Sequence, residues 1–404
     1  MARTSCDLKV VPQFEIAGSR SFAGLTYMSA PSLHRTYKFR LLPTRGQHGA
    51  LRAALDHTRD LYNSALQERI EAWRKAGRSL TRFDQNKGLT ELRADPAWAT
   101  YAVTMQRWPL AKLDHAFKSF HARLKRGDKP GFPRFKARGQ FDSFGFSDKG
   151  GWVVDGARVR MKGIGGVRIQ RHRPLPSRPL SCQIRREGKH WFVLLVCTVP
   201  VEALAPTGRA IGLDLGISTF AALSDGELIA NPKFSRRRAH ETRRRQRQLA
   251  RCRRGSNRRK KVKARLALLQ RRIARARRTF HHQVAARLVR EADLIAIEGL
   301  TIKGLARSAF ARDVNDAAWG QFTSLLTEKA EKAARILVKV DPRGTSQTCP
   351  ACGHVAVKTL SERTHRCACG CVLDRDVAAA RVILHRAVVG PGTPNVERQL
   401  MRAA

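Results

Sequence analysis

The chain has 404 residues, of which 42% are hydrophobic, so it can build more than one core and is neither a short peptide nor a wholly disordered tail. Lys and Arg number 78 against 32 Asp and Glu, and the resulting formal charge of +46 predicts a polyanionic partner. No run of about 18 apolar residues occurs, so a membrane-spanning helix is not expected.

The N-terminal half of the sequence predicts a small β domain interrupted by helices, over residues 34–208. Residues 1–33 precede the first regular pattern and are expected to form a disordered extension. Alternating apolar side chains at 37–42 predict a strand, and helical spacing of apolar residues predicts an insertion at about 48–125. Strand patterns separated by turns over 141–199 predict the rest of the domain.

A loop at 125–136 combines positive charge with aromatic rings. Phe132 and Phe135 could stack on a nucleic acid, or they could anchor the loop in the core. Lys129, Arg134 and Lys136 are predicted nucleic-acid contacts.

The C-terminal half predicts apolar strands and helices of an α/β domain over residues 209–345. Residues 236–278 carry 21 Lys and Arg but one acid, which predicts basic helices broken near Gly255. Charge runs are often solvated helix faces, but almost no acids alternate with these cations, which favours phosphate contacts. The predicted contacts are Arg243, Arg244, Arg245, Arg258, Arg259, Lys260 and Lys261.

Three carboxylates occupy positions where the apolar pattern ordinarily excludes charge. Asp214 lies within a strand, Glu298 ends another strand, and Asp376 begins a closing helix at 373–388. Burying a carboxylate is costly unless it is paired or bound to a metal, and oxygen ligands suit divalent cations. The pattern predicts two Mg²⁺ ions roughly 4 Å apart, bridged by Asp214, which would serve phosphodiester hydrolysis. Structural alternatives are a turn cap, an arginine partner and an N-cap, respectively.

Five of the nine cysteines lie between positions 349 and 371, which predicts a zinc ribbon at 346–372 rather than a disulfide scaffold. The second pair has the spacing C-x-C in place of C-x₂-C, so the ligand set has alternatives. The predicted ligands of one Zn²⁺ are Cys349, Cys352, Cys367 and Cys369. Cys371, His354 and His365 are the possible substitutes.

Six segments together resemble the TnpB family, transposon-encoded RNA-guided nucleases related to the type V CRISPR effectors. They occur in the family's order and approximate spacing, and the resemblance extends over nearly everything after Leu33. The segments are 37–43 (YKFRLLP), 131–136 (GFPRFK), 212–216 (GLDLG), 297–300 (IEGL), 345–353 (TSQTCPACG) and 374–376 (DRD).

The resemblance implies an α/β RuvC nuclease domain of RNase H-like fold, with Asp214, Glu298 and Asp376 as its acidic triad. Asp374 is the alternative to Asp376, which is preferred because it opens the closing helix. It also implies that the N-terminal domain is a β-barrel wedge domain with a helical recognition insertion, and that residues 389–404 form a tail. Where the family has D-R-D-x-N-A-A, this chain has Ala378 in place of the Asn, so an amide expected beside the active site is missing.

The activity implied is that of a Mg²⁺-dependent endonuclease with a transposon-derived guide RNA, which cuts both strands of duplex DNA beside a short flanking motif. Such a protein is expected to act as a monomer with its RNA, in the prokaryotic cytoplasm at the nucleoid, without a membrane partner. Two alternatives are a nuclease-impaired, RNA-guided repressor and a non-catalytic accessory protein of transposition. The isolated acids favour the enzyme, whereas Ala378 keeps the repressor open.

Overall fold

A computed structural model of the chain describes residues 32–389, except 306, 308, 309, 358, 360 and 361. The chain divides into two compact units, an N-terminal unit from Ser32 to Pro200 and a C-terminal unit from Val201 onward. The predicted N-terminal extension and C-terminal tail lie almost wholly outside the described residues. Among the described helices, none has both the length and the hydropathy needed to cross a membrane.

The N-terminal unit is built on a seven-stranded sheet in which every neighbouring pair is antiparallel, with the order β2-β6-β7-β1-β5-β4-β3. Its elements are β1 (Ser32–Leu42), α1 (Arg45–Ala76), α2 (Arg82–Leu92), α3 (Pro96–Ala99), α4 (Val103–Lys125), β2 (Ser143–Gly145), β3 (Trp152–Asp155), β4 (Arg158–Met161), β5 (Gly165–Gln170), β6 (Ser181–Glu187) and β7 (His190–Pro200).

Buried side chains alternate with less buried ones along the strands, so one face of this sheet lies in the core. Along β7, every second side chain from Trp191 to Val199 is buried, and these side chains belong to the same core as buried residues of α1 and α4. The helix α1 begins with a capping box between Thr44 and Gln47 and ends at Gly77, which has a φ of 60°. The predicted strand and helical insertion are therefore present.

The insertion also contains α2 and α3, which the sequence does not predict. Within α2, only Gln85 and Leu89 are buried, so the helix has little apolar periodicity. Its attachment to α1 is polar instead, because the Arg69 Nε donates to Gln85 Oε1 at 2.9 Å and Gln85 Nε2 donates to the Ala65 carbonyl at 2.8 Å. Polar packing of this kind leaves no hydrophobic signal in the sequence.

The C-terminal unit is built on a mixed five-stranded sheet with the order β10-β9-β8-β11-β12 and helices against it. Its elements are β8 (Ala210–Asp214), β9 (Thr219–Leu223), β10 (Leu228–Ala230), α5 (Phe234–Arg237), α6 (Ala239–Ala250), α7 (Asn257–Glu291), β11 (Leu294–Glu298), α8 (Ile302–Leu305), α9 (Ala311–Ala317), α10 (Trp319–Lys332), β12 (Ile336–Val340), β13 (Thr364–Arg366), β14 (Val372–Asp374) and α11 (Arg375–Val389). The predicted α/β class is confirmed.

Within this sheet, β8, β11 and β12 are parallel, and β9 is antiparallel to both of its neighbours. Side chains of β11 alternate between two cores, because Ile295 and Ile297 join the core that includes α7 and α10, whereas Ala296 joins the core with Ile383 of α11. Helices therefore pack against both faces of the sheet, as parallel strands require.

The helix α11 lies unusually close to β8. A Cβ atom added at Gly212 would sit 2.1 Å from the carbonyl oxygen of Ala380 and 2.9 Å from the Cβ of Leu384. The absence of a side chain at Gly212 is what allows the helix to pack on the strand.

Candidate metal-dependent active site

The three predicted acids converge on one face of the C-terminal sheet. Asp214 and Glu298 end the neighbouring parallel strands β8 and β11, whose register pairs Leu213 with Ile297. Because side chains alternate along a strand, Asp214 shares a face with Gly212, which is the face that α11 covers. The sequence of α11 then supplies Asp376 in its first turn.

Asp214 is the acid most affected by its surroundings. Burial raises the pKa of Asp214 well above its ordinary range, the negative charges of Glu298 and Asp376 raise it further, and Arg375 opposes them. Among the described residues, the Asp214 carboxylate forms no ion pair within 4 Å. It is therefore a desolvated acid whose nearest charged neighbours include two further acids.

Asp374 and Asp376 divide two tasks at the start of α11. The Oδ1 atom of Asp374 accepts hydrogen bonds from the backbone N–H groups of Asp376 at 2.9 Å and Val377 at 3.2 Å, so Asp374 caps the helix. The Oδ2 atom of Asp376 instead lies 3.8 Å from the position that a Cβ atom at Gly216 would occupy, beside the end of β8. The capping role that sequence allowed for Asp376 belongs to Asp374.

Burial raises the pKa of Asp376, and the neighbouring charge of Asp374 raises it further, while Arg363 and Arg375 lower it. Asp374 thus adds to the repulsion at the site even though its Oδ1 atom caps α11. The arginines compensate this repulsion only in part.

Glu298 has a partner that sequence reasoning missed. The hydroxyl group of Thr345, which follows β12, donates a hydrogen bond to Glu298 Oε1. Burial raises the pKa of Glu298, whereas the Thr345 hydrogen bond and the charge of Arg386 lower it. Thr345 is 3% exposed, and its only sequence signal is its place in the segment 345–353.

This donor set suits a hard divalent cation. The three acids offer carboxylate oxygens, which are the ligands that Mg²⁺ prefers in proteins. A positive ion would also relieve the repulsion that raises the pKa of Asp214. The oxygen chemistry of the three acids therefore fits the predicted metal, although their ligand atoms, unlike those of the cysteine cluster, do not all lie within 4.8 Å of one another.

The four predicted cysteine ligands lie together in a second cluster. The Sγ atoms of Cys349, Cys352, Cys367 and Cys369 are within 4.8 Å of one another, with 3.7 Å between Cys349 and Cys369 and 3.5 Å between Cys352 and Cys367. Tetrahedral coordination with Zn–S bonds of about 2.3 Å separates the sulfurs by roughly 3.8 Å. The shortened C-x-C pair thus reaches a geometry that fits one zinc ion.

Each cysteine pair lies in a hydrogen-bonded turn that contains a glycine. The N–H of Gly353 donates to the Cys349 carbonyl and the N–H of Gly370 to the Cys367 carbonyl, each at 3.0 Å, and both glycines have positive φ values. Burial alone would raise the pKa of the Cys349 thiol, but the N–H groups of Cys352 and Ala351 and further hydrogen bonds lower it to about 5. Such donors stabilise the thiolate form that binds metal.

Two of the alternative ligands lie beside this cluster. Ligand atoms of Cys349, His365 and Cys371 are also within 4.8 Å of one another, and all three residues are buried. This second group offers three ligands, whereas the four cysteines offer a complete tetrahedral set. His354 belongs to neither group and contributes its carbonyl oxygen to the N–H of Cys349 at 2.8 Å.

The predicted basic helices are α6 and α7, and the break near Gly255 falls between them. Most of their predicted nucleic-acid contacts are exposed, including Arg243, Arg244, Arg258, Lys260 and Lys261.

Two of the predicted cations have protein partners. Arg245 lies 3.9 Å from Glu241. Arg259 donates to the carbonyl of Leu249 at 2.6 Å and to that of Cys252 at 3.1 Å, so it caps the end of α6. Sequence alone could not separate this structural arginine from its neighbours.

In the aromatic and basic loop at 125–136, one phenylalanine ring packs against α4 and the other is exposed. Phe132 packs edge-on against Phe117 and Phe120 of α4 with ring centroids 5.5 and 5.4 Å apart, and it is still 47% exposed. Phe135 is 50% exposed. The loop is pinned to α1 at Lys136, whose N–H donates to Asn63 Oδ1 at 2.8 Å. Lys129 and Arg134 remain exposed.

Three family models match the chain in order. The OrfB model of IS605-type elements, described as "Probable transposase", matches residues 194–309, and the model described as "Cas12f1-like, TNB domain" matches residues 319–383. The first range contains Asp214 and Glu298, and the second contains Asp376 and the cysteine cluster. A model described as "Helix-turn-helix domain" matches residues 28–78, of which the described part forms one strand and one helix.

Curated relatives match nearly the whole chain. A protein of Streptomyces pristinaespiralis named "Putative RNA-guided DNA endonuclease" is 33% identical over 361 residues, which cover 87% of this chain and 88% of that protein. A protein of Escherichia coli named "Putative RNA-guided DNA endonuclease InsQ" is 26% identical and covers 87% of this chain and 91% of its own.

A solved structure shares the fold. The structure titled "Cryo-EM structure of the Cas12f1-sgRNA-target DNA complex" matches with a TM-score of 0.58 and 13% identity, over 87% of this chain and 98% of that chain. Sequence identity at this level speaks for the fold alone. Together with the relative that is 33% identical, the matches bear out the resemblance found in the sequence. The chain belongs to the TnpB family of transposon-encoded proteins.

Proposed function

We propose that this protein is an RNA-guided, metal-dependent DNA endonuclease with a RuvC-type active site. The observation that carries the proposal is the convergence of Asp214, Glu298 and Asp376 on the α11 face of the sheet. Its relatives' names point to the same activity. The substrate is double-stranded DNA beside a short flanking motif, and the reaction is hydrolysis of a phosphodiester.

In this proposal, Asp214, Glu298 and Asp376 would hold two Mg²⁺ ions. Bound Mg²⁺ would polarise the phosphate and lower the pKa of a water molecule that it binds. The protein's own contribution is to orient the carboxylates. The Thr345 hydroxyl orients Glu298, and the cap by Asp374 fixes the first turn of α11, so that Asp376 faces the end of β8.

The excess of positive charge supports the guide RNA and DNA as partners. The exposed cations of α6 and α7 and of the loop at 125–136 are suited to phosphate contacts, which do not depend on base sequence. Base pairing by a transposon-derived guide RNA would then select the target.

The finer domain assignment is part of the proposal. Residues 34–208 form the wedge domain, with the recognition insertion at 48–125, and residues 209–345 and 373–388 form the RuvC domain. Residues 346–372 form the zinc ribbon, with Zn²⁺ on Cys349, Cys352, Cys367 and Cys369, as their sulfur spacing supports.

The direct test is guided cleavage in vitro. The protein is purified with RNA from its own locus and incubated with matched duplex DNA and Mg²⁺. We expect cutting by the wild type, loss of cutting by at least about a thousandfold in Asp214→Ala, and near-normal cutting in Asp225→Asn, an acid on an exposed turn. Failure to retain a specific RNA, or cutting by Asp214→Ala at the wild-type rate, would contradict the proposal.

The nuclease-impaired repressor is the second candidate, because of one observation. Ala378 stands two residues after Asp376, where the family pattern has an amide, and it is 2% exposed within α11. Guided binding of matched duplex without any cutting, by a folded wild-type complex in Mg²⁺, would support this candidate over the enzyme.

A further inference from the structure

We propose that Thr345 is a positioning residue for Glu298 and that the cysteine cluster sets its place. The inference rests on the proposed function, since it concerns the affinity of the acidic site for divalent cations. Thr345 and Glu298 belong to different segments, 47 positions apart, so their contact depends on the fold between them.

Thr345 lies between an acid and a backbone carbonyl. The Thr345 hydroxyl donates to Glu298 Oε1 and also lies 3.1 Å from the carbonyl oxygen of Pro342. With the residue 3% exposed, water has little access to replace this donor. A carboxylate held by a buried hydroxyl has fewer side-chain orientations than a free one, which favours metal binding.

The loop that carries Thr345 is attached to α11. From α11, the Arg386 Nη1 atom donates to the carbonyl of Asp341 at 2.9 Å and to that of Arg343 at 2.7 Å. The same helix provides Asp376, so the loop and the third acid are held by one element.

A hydrogen-bonded turn connects Thr345 to the cysteines. Gly344, with a φ of 70°, opens a turn in which its carbonyl accepts the N–H groups of Gln347 and Thr348, each at 3.0 Å, and the Thr348 hydroxyl at 2.8 Å. Thr348 then pairs with Val355 across the turn that contains Cys349 and Cys352. The position of Thr345 is therefore continuous with the first cysteine pair.

These contacts predict that closing the cysteine cluster around zinc orders the turn, and that the turn orients Glu298. Loss of a group that orients a metal ligand typically costs about 10- to 100-fold in metal affinity. A purely structural role for Thr345 would lower the melting temperature without a specific loss of divalent-cation binding.

The test measures Mn²⁺ binding by isothermal titration calorimetry to the full chain in complex with its RNA. Binding that disappears in Asp214→Ala defines the acidic site. We expect Thr345→Val to weaken this binding by about tenfold or more and Thr345→Ser, which keeps the hydroxyl, to stay close to the wild type. Thr58→Val is the matched control, because its buried hydroxyl bonds backbone carbonyls of α1 and has no part in the contacts that lead to Glu298.

The outcomes separate the two proposals. If the wild-type complex shows no Mn²⁺ binding that depends on Asp214, the proposed function fails. If that binding is present and Thr345→Val retains it, or if Thr58→Val weakens it equally, the positioning role is wrong.

The role of the cysteine cluster has its own test. Cys352→Ser should lower Mn²⁺ affinity in the wild-type background and have little further effect in Thr345→Val, because both changes act through one path. Hydrogen exchange at residues 341–345 should be faster in Cys352→Ser. Additive losses, or unchanged exchange at 341–345, would disprove the link to the cluster.

Discussion

The two sheets of this chain place charge in opposite ways. In β4 of the N-terminal unit, Arg158 and Arg160 are exposed while Val159 and Met161 are buried, so charge follows the alternation to the surface. In the C-terminal unit, β8 and β11 have buried interiors and end in Asp214 and Glu298. An exposed cation costs little folding free energy because water solvates it. Grouped and partly buried acids need positive charge or hydrogen-bond donors nearby.

Because of this difference, the two units are sensitive to different substitutions. The N-terminal sheet rests on one apolar core, and changes of surface charge should leave its stability nearly unchanged. The C-terminal sheet depends on a very close helix, on the cysteine cluster and on compensation of its acids. Perturbations of these three features should affect the C-terminal unit alone.

Loss of the proposed zinc should have the largest effect. The purified protein is expected to contain one zinc ion per chain, and Cys349→Ser should lose it. Structural zinc contributes about 10 kcal/mol or more in small zinc domains, so the segment from 341 to 374 should unfold locally. Hydrogen exchange should increase there and stay unchanged in β7. Absence of zinc by elemental analysis would contradict this prediction.

Gly212→Ala should cause the second-largest loss of stability. Its new Cβ would meet the Ala380 carbonyl, and overpacking of this kind typically costs about 1 to 3 kcal/mol. The matched change in the N-terminal sheet is Gly166→Ala, whose Cβ would meet only the side chains of Arg160 and Arg158, at 3.5 and 3.7 Å. Chemical denaturation should show a loss for Gly212→Ala alone. Equal losses would mean that the close helix is not the weak point.

Neutralising Asp214 should stabilise the metal-free protein. Since folding raises its pKa, the stability that its proton provides is complete below the unfolded value near 3.9 and is lost as the pH rises through the folded value. Asp214→Asn should therefore melt higher than the wild type at neutral pH without divalent cations, by about 2 to 4 °C per kcal/mol. Asp225→Asn should not raise the melting temperature. Added Mg²⁺ should narrow the difference, and a lower melting temperature for Asp214→Asn would contradict this account.

Surface cations should have the smallest individual effects. Replacing Arg243, Arg244 or Lys261 with Gln should weaken RNA binding modestly and reduce its dependence on salt by about one ion per lost phosphate contact. Arg259→Gln should instead lower stability, because it caps α6. Filter binding over a salt series and thermal melting distinguish the two classes. If Arg259→Gln reduced the salt dependence of RNA binding without lowering stability, Arg259 would be a phosphate contact and not a cap of α6.

The sequence predicts most of the strands that carry the acids, because an isolated charge in a buried strand is a conspicuous departure from the apolar pattern. It also predicts the four cysteines, because their spacing is local. The acidic triad itself was predictable only as a set of candidates. Their convergence depends on the register of β8 and β11 and on the packing of α11, which are long-range features.

Other features have no local signal at all. Thr345 is one threonine among several, and only the fold brings it to Glu298. Asp374 and Asp376 are two residues apart, and hydrogen bonds rather than residue type assign the cap to Asp374. The helix α2 was missed because its contacts with α1 are polar.

The packing of α11 on β8 has a consequence for biosynthesis. The strand that bears Asp214 leaves the ribosome long before the helix that bears Asp376 and covers Gly212. Because translation proceeds from the N-terminus, a nascent chain cannot assemble all three acids until α11 has been synthesised. Truncated products that stop before α11 would still carry the basic helices but would lack the third carboxylate.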